Sequence, residues 1–341
     1  MRNLILLFNF LSVILFSACN QSTLFSEKNS EELSSERQTL SLACWNTQTF
    51  FDSEFEGTEY EDYQNLAKWS RDKYLTRLSR LCEVMTALDT DIIVLEEIEN
   101  ASVVQDIANQ FAGNSWGRGK NWSYACFGKE AGAAIGCAVF SKYPLSDLKI
   151  HSMNIQTQEQ EQPSSRPLLQ VSVNLEEKSL LIFVNHWKSK ASGEVSSEIW
   201  RDWQESLLAE RINAIRKSDK EVCCVLCGDF NRDAREFICN FNGVEKAENV
   251  TLRGSFQNLN LYSPWFDECG DYTTEIGSYY YEDDWERIDH IFLLGNINFS
   301  AFTPRAASPW AASDSTPKTY KLFNGEGYSD HLPLVGILTL L

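Results

Sequence analysis

Eight short runs of β-type residues punctuate the chain: Leu40–Trp45, Ile92–Leu95, Gly136–Phe140, Leu168–Asn174, Leu180–Asn185, Val222–Cys227, His290–Leu293 and Leu334–Leu340. Between some of them apolar residues return at helical spacing. Asn65 to Leu88 carries Leu66, Trp69, Leu78, Leu81, Met85 and Leu88 mostly three or four positions apart, and Val103–Phe111 and Glu198–Ile215 look the same. Strands that alternate with amphipathic helices bury their sheets under those helices, which confines the chain to the α/β class. Beyond about residue 40 no Pro/Gly/Ser linker, repeat or low-complexity tract breaks the pattern. One domain over 40–341 is therefore expected, although 341 residues would allow two.

The N-terminus reads differently. Arg2 precedes an apolar run from Leu4 to Phe16, followed by Ser17, Ala18 and Cys19. A basic start, an apolar stretch too short to span a bilayer and small residues before a cut describe a secretory signal peptide over 1–18. Phe16-Ser17-Ala18-Cys19 also resembles a bacterial lipobox, with Phe16 in place of the usual leucine. Cys19 is then the acylated N-terminus of an exported, membrane-anchored lipoprotein. Residues 19–39 are rich in Ser, Glu, Asn and Gln and read as a flexible tether. Ten cysteines fit an exported chain. Cys126 and Cys137 flank a Gly- and Ala-rich segment and could close a hairpin. Cys223-Cys224-x-x-Cys227 lies in a run that reads as a buried strand with no His nearby, so neither metal nor redox work is expected of it.

Forty-eight acidic and 30 basic residues leave a formal charge of −18. That argues against bulk electrostatic binding of nucleic acid, which needs a basic face to displace counterions. It leaves room for an enzyme that meets phosphate through a metal ion, because hard divalent cations require acidic oxygens.

Polar residues gather at strand ends in six places. Asn46 follows the first run, Glu96-Glu97 the second, and Asn185-His186-Trp187-Lys188-Ser189-Lys190 the fifth. Gly228-Asp229-Phe230-Asn231 follows the sixth, Arg287-Ile288-Asp289-His290 opens the seventh, and Tyr328-Ser329-Asp330-His331-Leu332-Pro333 precedes the last. Each alone has a plainer reading: a turn, a solvated helix start, a satisfied core histidine. Together, in this order, they can converge on one site over a sheet edge.

The ordered set resembles the endonuclease/exonuclease/phosphatase superfamily, which includes deoxyribonuclease I-like enzymes. The resemblance runs from about Leu40 to Leu341. Asp91–Glu97, Asn185–Lys190, Gly228–Asn231, Asp289–Phe292 and Ser329–Pro333 carry it, and Gly277–Asp289 is similar to secreted bacterial nuclease-type members. Glu96 departs from the family's usual Gln, which places a local charge effect beside Glu97. The resemblance implies a four-layer α/β sandwich, two mostly antiparallel sheets packed face to face with helices outside. It also implies a Mg²⁺-dependent phosphodiesterase, with Mn²⁺ as the alternative cation. In that scheme Glu97 is the principal metal ligand, helped by Asn46 and Asp330. Asp229 orients or deprotonates water, and Asn231 holds the nucleophile or a phosphate oxygen. His331, paired with Asp289, contacts the scissile phosphate, and His186 donates to the phosphate or assists the leaving oxygen. Arg166 fits an arginine that touches phosphate. Tyr124 is placed in core or rim, Lys188 and Lys190 give the rim positive charge, and Trp187 and Trp285 are expected to pack under the site. The substrate is expected to be DNA or RNA and the protein a monomer. The alternative is a sphingomyelinase-like or inositol-phosphate hydrolase of the same fold.

Overall fold

The computed structural model describes residues 5–7, 38–65, 68–112, 122–153, 165–176, 178–239 and 248–341. Two large sheets lie face to face. The first runs, in spatial order, Ile5–Leu7, Tyr124–Gly128, Gly136–Ser141, Ile92–Ile98, Gln38–Phe50, Leu334–Leu340 and Ile297–Pro304. The second runs Ile238–Cys239, Asn249–Leu252, Leu259–Tyr262, Asp289–Leu294, Cys223–Asp229, Ser179–His186, Leu168–Asn174 and Leu145–His151. Neighbours are antiparallel except for one pair in each sheet: Gln38–Phe50 with Ile92–Ile98, and Ser179–His186 with Cys223–Asp229. A parallel pair needs a crossover. Helix α1 (Arg71–Leu88) supplies the first, and a long helix, Glu194–Ser218, supplies the second. The expected sandwich of two mostly antiparallel sheets under helices is the architecture found.

Alternation along the central strands explains the layering. Leu40, Leu42, Cys44, Ile92 and Val94 enter the core between the sheets, while Ala43, Trp45, Ile93 and Leu95 face Leu78, Leu81 and Met85 of α1. Strands buried on both faces read as continuous apolar runs. Helix α1 starts later than the periodicity from Asn65 suggests. Ser70 accepts from the Lys73 amide as its N-cap, whereas Trp69 leaves the helix and its indole donates to the Asp52 carbonyl. Residues 66 and 67 lie outside the described set, as do 8–37, which hold Cys19 and most of the segments read as leader and tether. Ile5–Leu7, within the leader reading, pairs antiparallel with Tyr124–Gly128 at a sheet edge.

The eight described cysteines whose side chains are placed are all free thiols. Cys126 lies opposite Val139 and Cys137 opposite Gly128, so the two are offset by two pairs in the ladder. Cys224 and Cys227 are buried in a strand, as expected. Burial pushes the Cys126 and Cys224 thiols up to about 12, which leaves them unreactive.

Candidate active site

The C-terminal ends of both parallel pairs meet at one edge of the sandwich, and the strands that begin at Asp289 and Leu334 enter from the same edge. In register, Asn46 lies beside Glu96, His186 beside Asp229, and Asp289 opposite Asp229. Regular alternation would turn Glu96 and Glu97 to opposite faces. A register shift between Glu96 and Ile98, with Glu97 at φ 63°, turns the Glu97 carboxylate to the edge. Bulges re-aim side chains in this way. A matching shift follows Asn46, where Gln48 and Thr49 take φ 56° and 49°. The buried Arg77 guanidinium holds that loop, donating to the carbonyls of Thr47 (2.9 Å), Gln48 and Thr49 (2.9 Å). Gly228 is required where it stands: at φ 129°, a Cβ would lie 1.9 Å from the Asn185 carbonyl oxygen.

The resulting cavity holds about 890 Å³. Asn46, Glu97, Arg166, His186, Asp229, Asn231, Asp330 and His331 line it, so eight of the nine candidates open onto one space. Asp289, the ninth, is buried behind His331 and accepts from its Nδ1 at 2.8 Å. Asn46 Nδ2 joins the two sheets, donating to Glu97 Oε1 (3.2 Å) and Asp229 Oδ2 (3.0 Å). Glu97 Oε2 accepts from the Thr49 amide. His186 Nε2 lies 3.5 Å from Glu97 and 3.8 Å from Asp229. The Asn231 amide donates to Asp229 Oδ1 at 2.8 Å, and its side-chain Nδ2 donates to the Trp187 carbonyl at 3.2 Å. Arg232, next in the chain, is fully buried among Glu205, Glu198 and Asp202 of the long helix, which ties this loop down.

Electrostatics divide the two histidines. Burial, with Arg166 and His331 nearby, holds His186 well below its ordinary value, so it is neutral. Burial opposes the charge of His331 too, but contact with the Asp289 carboxylate prevails and holds it well above the ordinary value. Burial, with Asp289 close by, pushes Asp229 up to about 7. Asp289 Oδ1 is buried with no hydrogen-bond partner. Asp229, Asp289 and His331 place potential ligand atoms within 4.8 Å of one another, a grouping different from Asn46, Glu97 and Asp330. Within it, Asp289 Oδ2 is already engaged by His331 Nδ1.

Glu96 points away from the cavity into the inter-sheet core, where Cys44 Sγ donates to it at 3.1 Å. Burial pushes its pKa well above the ordinary 4.5. A neutral carboxylic acid has the shape of the family's glutamine, which accounts for the departure at this position. The acid is protonated in the native state where it ionises in the unfolded chain, so its contribution to stability is lost as pH rises above the unfolded value. Glu96→Gln should therefore become more stable relative to the parent from about pH 5 to about pH 8. Melting temperatures across that range check this, and a constant difference would refute it.

Other residues fall where packing dictates. Trp187 is fully buried, its indole donating to Asn185 Oδ1 at 3.0 Å and its ring 4.7 Å from Phe230. Trp285 packs on Tyr280 at 5.0 Å. Tyr124 lies opposite Ser141, at the far end of its sheet from Glu97. Lys188 and Lys190 do line the cavity. In the acidic stretch Glu54–Asp62, Glu59 is buried, accepting from the Gly57 amide at 2.8 Å, and Tyr60 reaches the cavity. Tyr60, Tyr279 and Tyr281 are wall residues not among the candidate site residues, although Tyr279 and Tyr281 lie within the Gly277–Asp289 segment. The two-residue spacing of Tyr279 and Tyr281, which puts both on one face of a strand, was the signal for a shared role.

In comparisons with known proteins, the Endonuclease/Exonuclease/phosphatase family model matches residues 41–308. None of the curated proteins matches the chain in sequence. Among solved structures, an endonuclease/exonuclease/phosphatase family protein from Bacteroides thetaiotaomicron is similar at 12% identity and TM-score 0.53, over 90% of this chain and 99% of that one. D. rerio TDP2 complexed with a single-strand DNA product aligns at 16% identity and TM-score 0.53, over 88% and 98%. The human Nocturnin catalytic domain with bound sulfate aligns at 16% identity and TM-score 0.52, over 89% and 98%. These likenesses concern the fold; the family match spans most of the chain, and the chain belongs to the endonuclease/exonuclease/phosphatase family.

Proposed function

We propose that the protein is a Mg²⁺-dependent nuclease that hydrolyses phosphodiester bonds of DNA or RNA outside the cytoplasm. One observation carries the reading: His331, held from behind by Asp289, shares one cavity with the Glu97 and Asp229 carboxyl groups. A phosphodiester repels anionic nucleophiles, so hydrolysis needs positive charge on the phosphate and a base for water. The site offers both kinds of group. Its unpartnered Asp289 oxygen and the upward push on Asp229 are signs of surplus negative charge among oxygen donors, which suits a hard divalent cation. Glu97 would hold that cation with Asn46 and Asp330. When bound, it supplies charge neutralisation at the phosphate oxygens.

The chain's own residues do the rest. Asp229, poised near neutrality, accepts the proton of the attacking water. Asn231 has its Nδ2 on the Trp187 carbonyl, which leaves the amide oxygen to orient that water. His331, held by Asp289 through Nδ1, presents Nε2–H to the phosphate. Neutral His186 donates to the phosphate or the leaving oxygen, and Arg166 adds a second cation. Cleavage should be tested on supercoiled plasmid, linear duplex, single strands, RNA, sphingomyelin and inositol phosphates. Turnover of a nucleic acid is expected. Turnover of only the lipid or inositol substrates would replace this reading with the phospholipase-like or phosphatase alternative. Export rests on residues 1–19 alone, and a mature protein that retains Met1 would remove it.

A further inference from the structure

We propose that Tyr281, backed by Tyr279, is a stacking site for an unpaired nucleobase beside the scissile phosphate, so that the enzyme acts on single strands or frayed ends. The inference rests on the nuclease reading above and narrows its substrate.

Tyr279–Tyr281 pairs with Asp284–Glu286 as a two-stranded ribbon. Tyr280 turns to one side, onto Trp285. Tyr279 and Tyr281 turn to the other, onto the cavity. The ribbon is fixed to the site, because Tyr279 bridges His331 and the Leu332 amide donates to the Ser278 carbonyl at 2.7 Å. The Tyr279 ring centre lies 4.8 Å from that of His331. The Tyr281 ring follows at 6.2 Å, within 15° of parallel to Tyr279. The rings therefore step outward from the phosphate-contacting histidine, and the outermost is 53% exposed. A ring that is already oriented by its neighbour loses little freedom when a base covers its open face.

The charge of the molecule makes such a contact valuable. With a formal charge of −18, the protein as a whole repels a polyanion. Among the described residues three lysines and arginines line the cavity, and one of them, Lys190, is paired with Glu236 at 2.7 Å and Glu194 at 3.5 Å. Arg166 and Lys188, with His331, release few counterions, so phosphate contacts give little affinity. Stacking is independent of phosphate charge and tolerant of sequence. A base inside a duplex has both faces covered, so only an unpaired one can use Tyr281.

The experiment compares steady-state cleavage of a short single strand, the same strand with abasic residues flanking the cleaved bond, and the matching duplex. The enzymes are the parent, Tyr281→Ala and Tyr281→Phe. For the parent, abasic substitution should lower kcat/KM about tenfold or more, chiefly through KM. Tyr281→Ala should show that loss on the normal strand and no further loss on the abasic one. Tyr281→Phe should behave as the parent, and the duplex should be the poorer substrate. Indifference of the parent to abasic sites, or additive losses in Tyr281→Ala, overturns the stacking site while leaving a nuclease. Failure to cleave any oligonucleotide overturns the nuclease reading itself.

Discussion

Asp229→Ala and His331→Ala should each lower the rate of phosphodiester hydrolysis by about 10³-fold or more while the protein stays folded. The size of the loss follows from the two jobs assigned. Without Asp229, no neighbouring group can take the water's proton in its place. His186 Nε2 lies between Glu97 at 3.5 Å and Asp229 at 3.8 Å, where it serves as a donor to the phosphate or the leaving oxygen, and Asp289 is behind His331. Without His331, the phosphate loses a donor whose charge the protein maintains at the expense of burying Asp289. Because the pair acts as a unit, Asp289→Asn should cost nearly as much as His331→Ala, and the double variant should be no worse than the single. Rates on the best substrate of the panel, together with circular dichroism of each variant, check this. Near-parental activity in either alanine variant would dismantle the site assignment. Independent, multiplying losses in the double variant would break the His331–Asp289 pair as a functional unit.

Removing divalent metal should abolish activity and make stability fall with rising pH. Two cavity groups push in this direction, in addition to the buried Glu96. Asp229 is pushed up to about 7 from an ordinary 3.8, and His331 is held above its ordinary 6.5. In both cases the native state binds the proton more tightly than the unfolded chain does. The stability they contribute is therefore full below the unfolded values and is lost as pH rises through the folded ones. Raising a buried carboxyl by about three units corresponds to roughly 4 kcal/mol at most. In EDTA the melting temperature should drop by about 5–10 °C from about pH 4 to about pH 9, the Asp229 part being lost by about pH 7 and the His331 part above about pH 6.5. Adding Mg²⁺ at the upper pH should restore it, because the cation supplies the missing positive charge. Asp229→Asn should flatten the curve in EDTA. A metal-free curve that rises with pH, or a Mg²⁺ effect confined to low pH, would contradict this account of the site's charge. Undiminished cleavage in chelator would remove the metal from the reaction.

The candidate site motifs were legible because each abuts a β-type run. A strand's end is a fixed point, and Asn46, Glu97, His186, Asp229, Asp289 and His331 all sit at one. Their number and order were enough to place them in one site before any contact was known. The pairing of Asp289 with His331 was legible only through resemblance, since 42 residues separate them. What Glu96 does was not legible at all. Its neighbour Glu97 is turned outward by a bulge, and no local residue pattern announces that Glu96 is thereby left in the core beside Cys44.

Periodicity and strand-end chemistry thus pointed to the class of the fold, and with the family resemblance to the candidate residues of the site, because those depend on patterns a few residues long. Protonation, orientation and the substrate-facing wall were decided by the tertiary structure. Whether Asp229 sits near neutrality, whether His186 or His331 carries the charge, and whether Tyr281 is a rim or a core residue depend on which elements cover each group. Burial and neighbouring charge are properties of the assembled sheets, and the −18 of the chain acquires its meaning only from where those carboxylates come to lie.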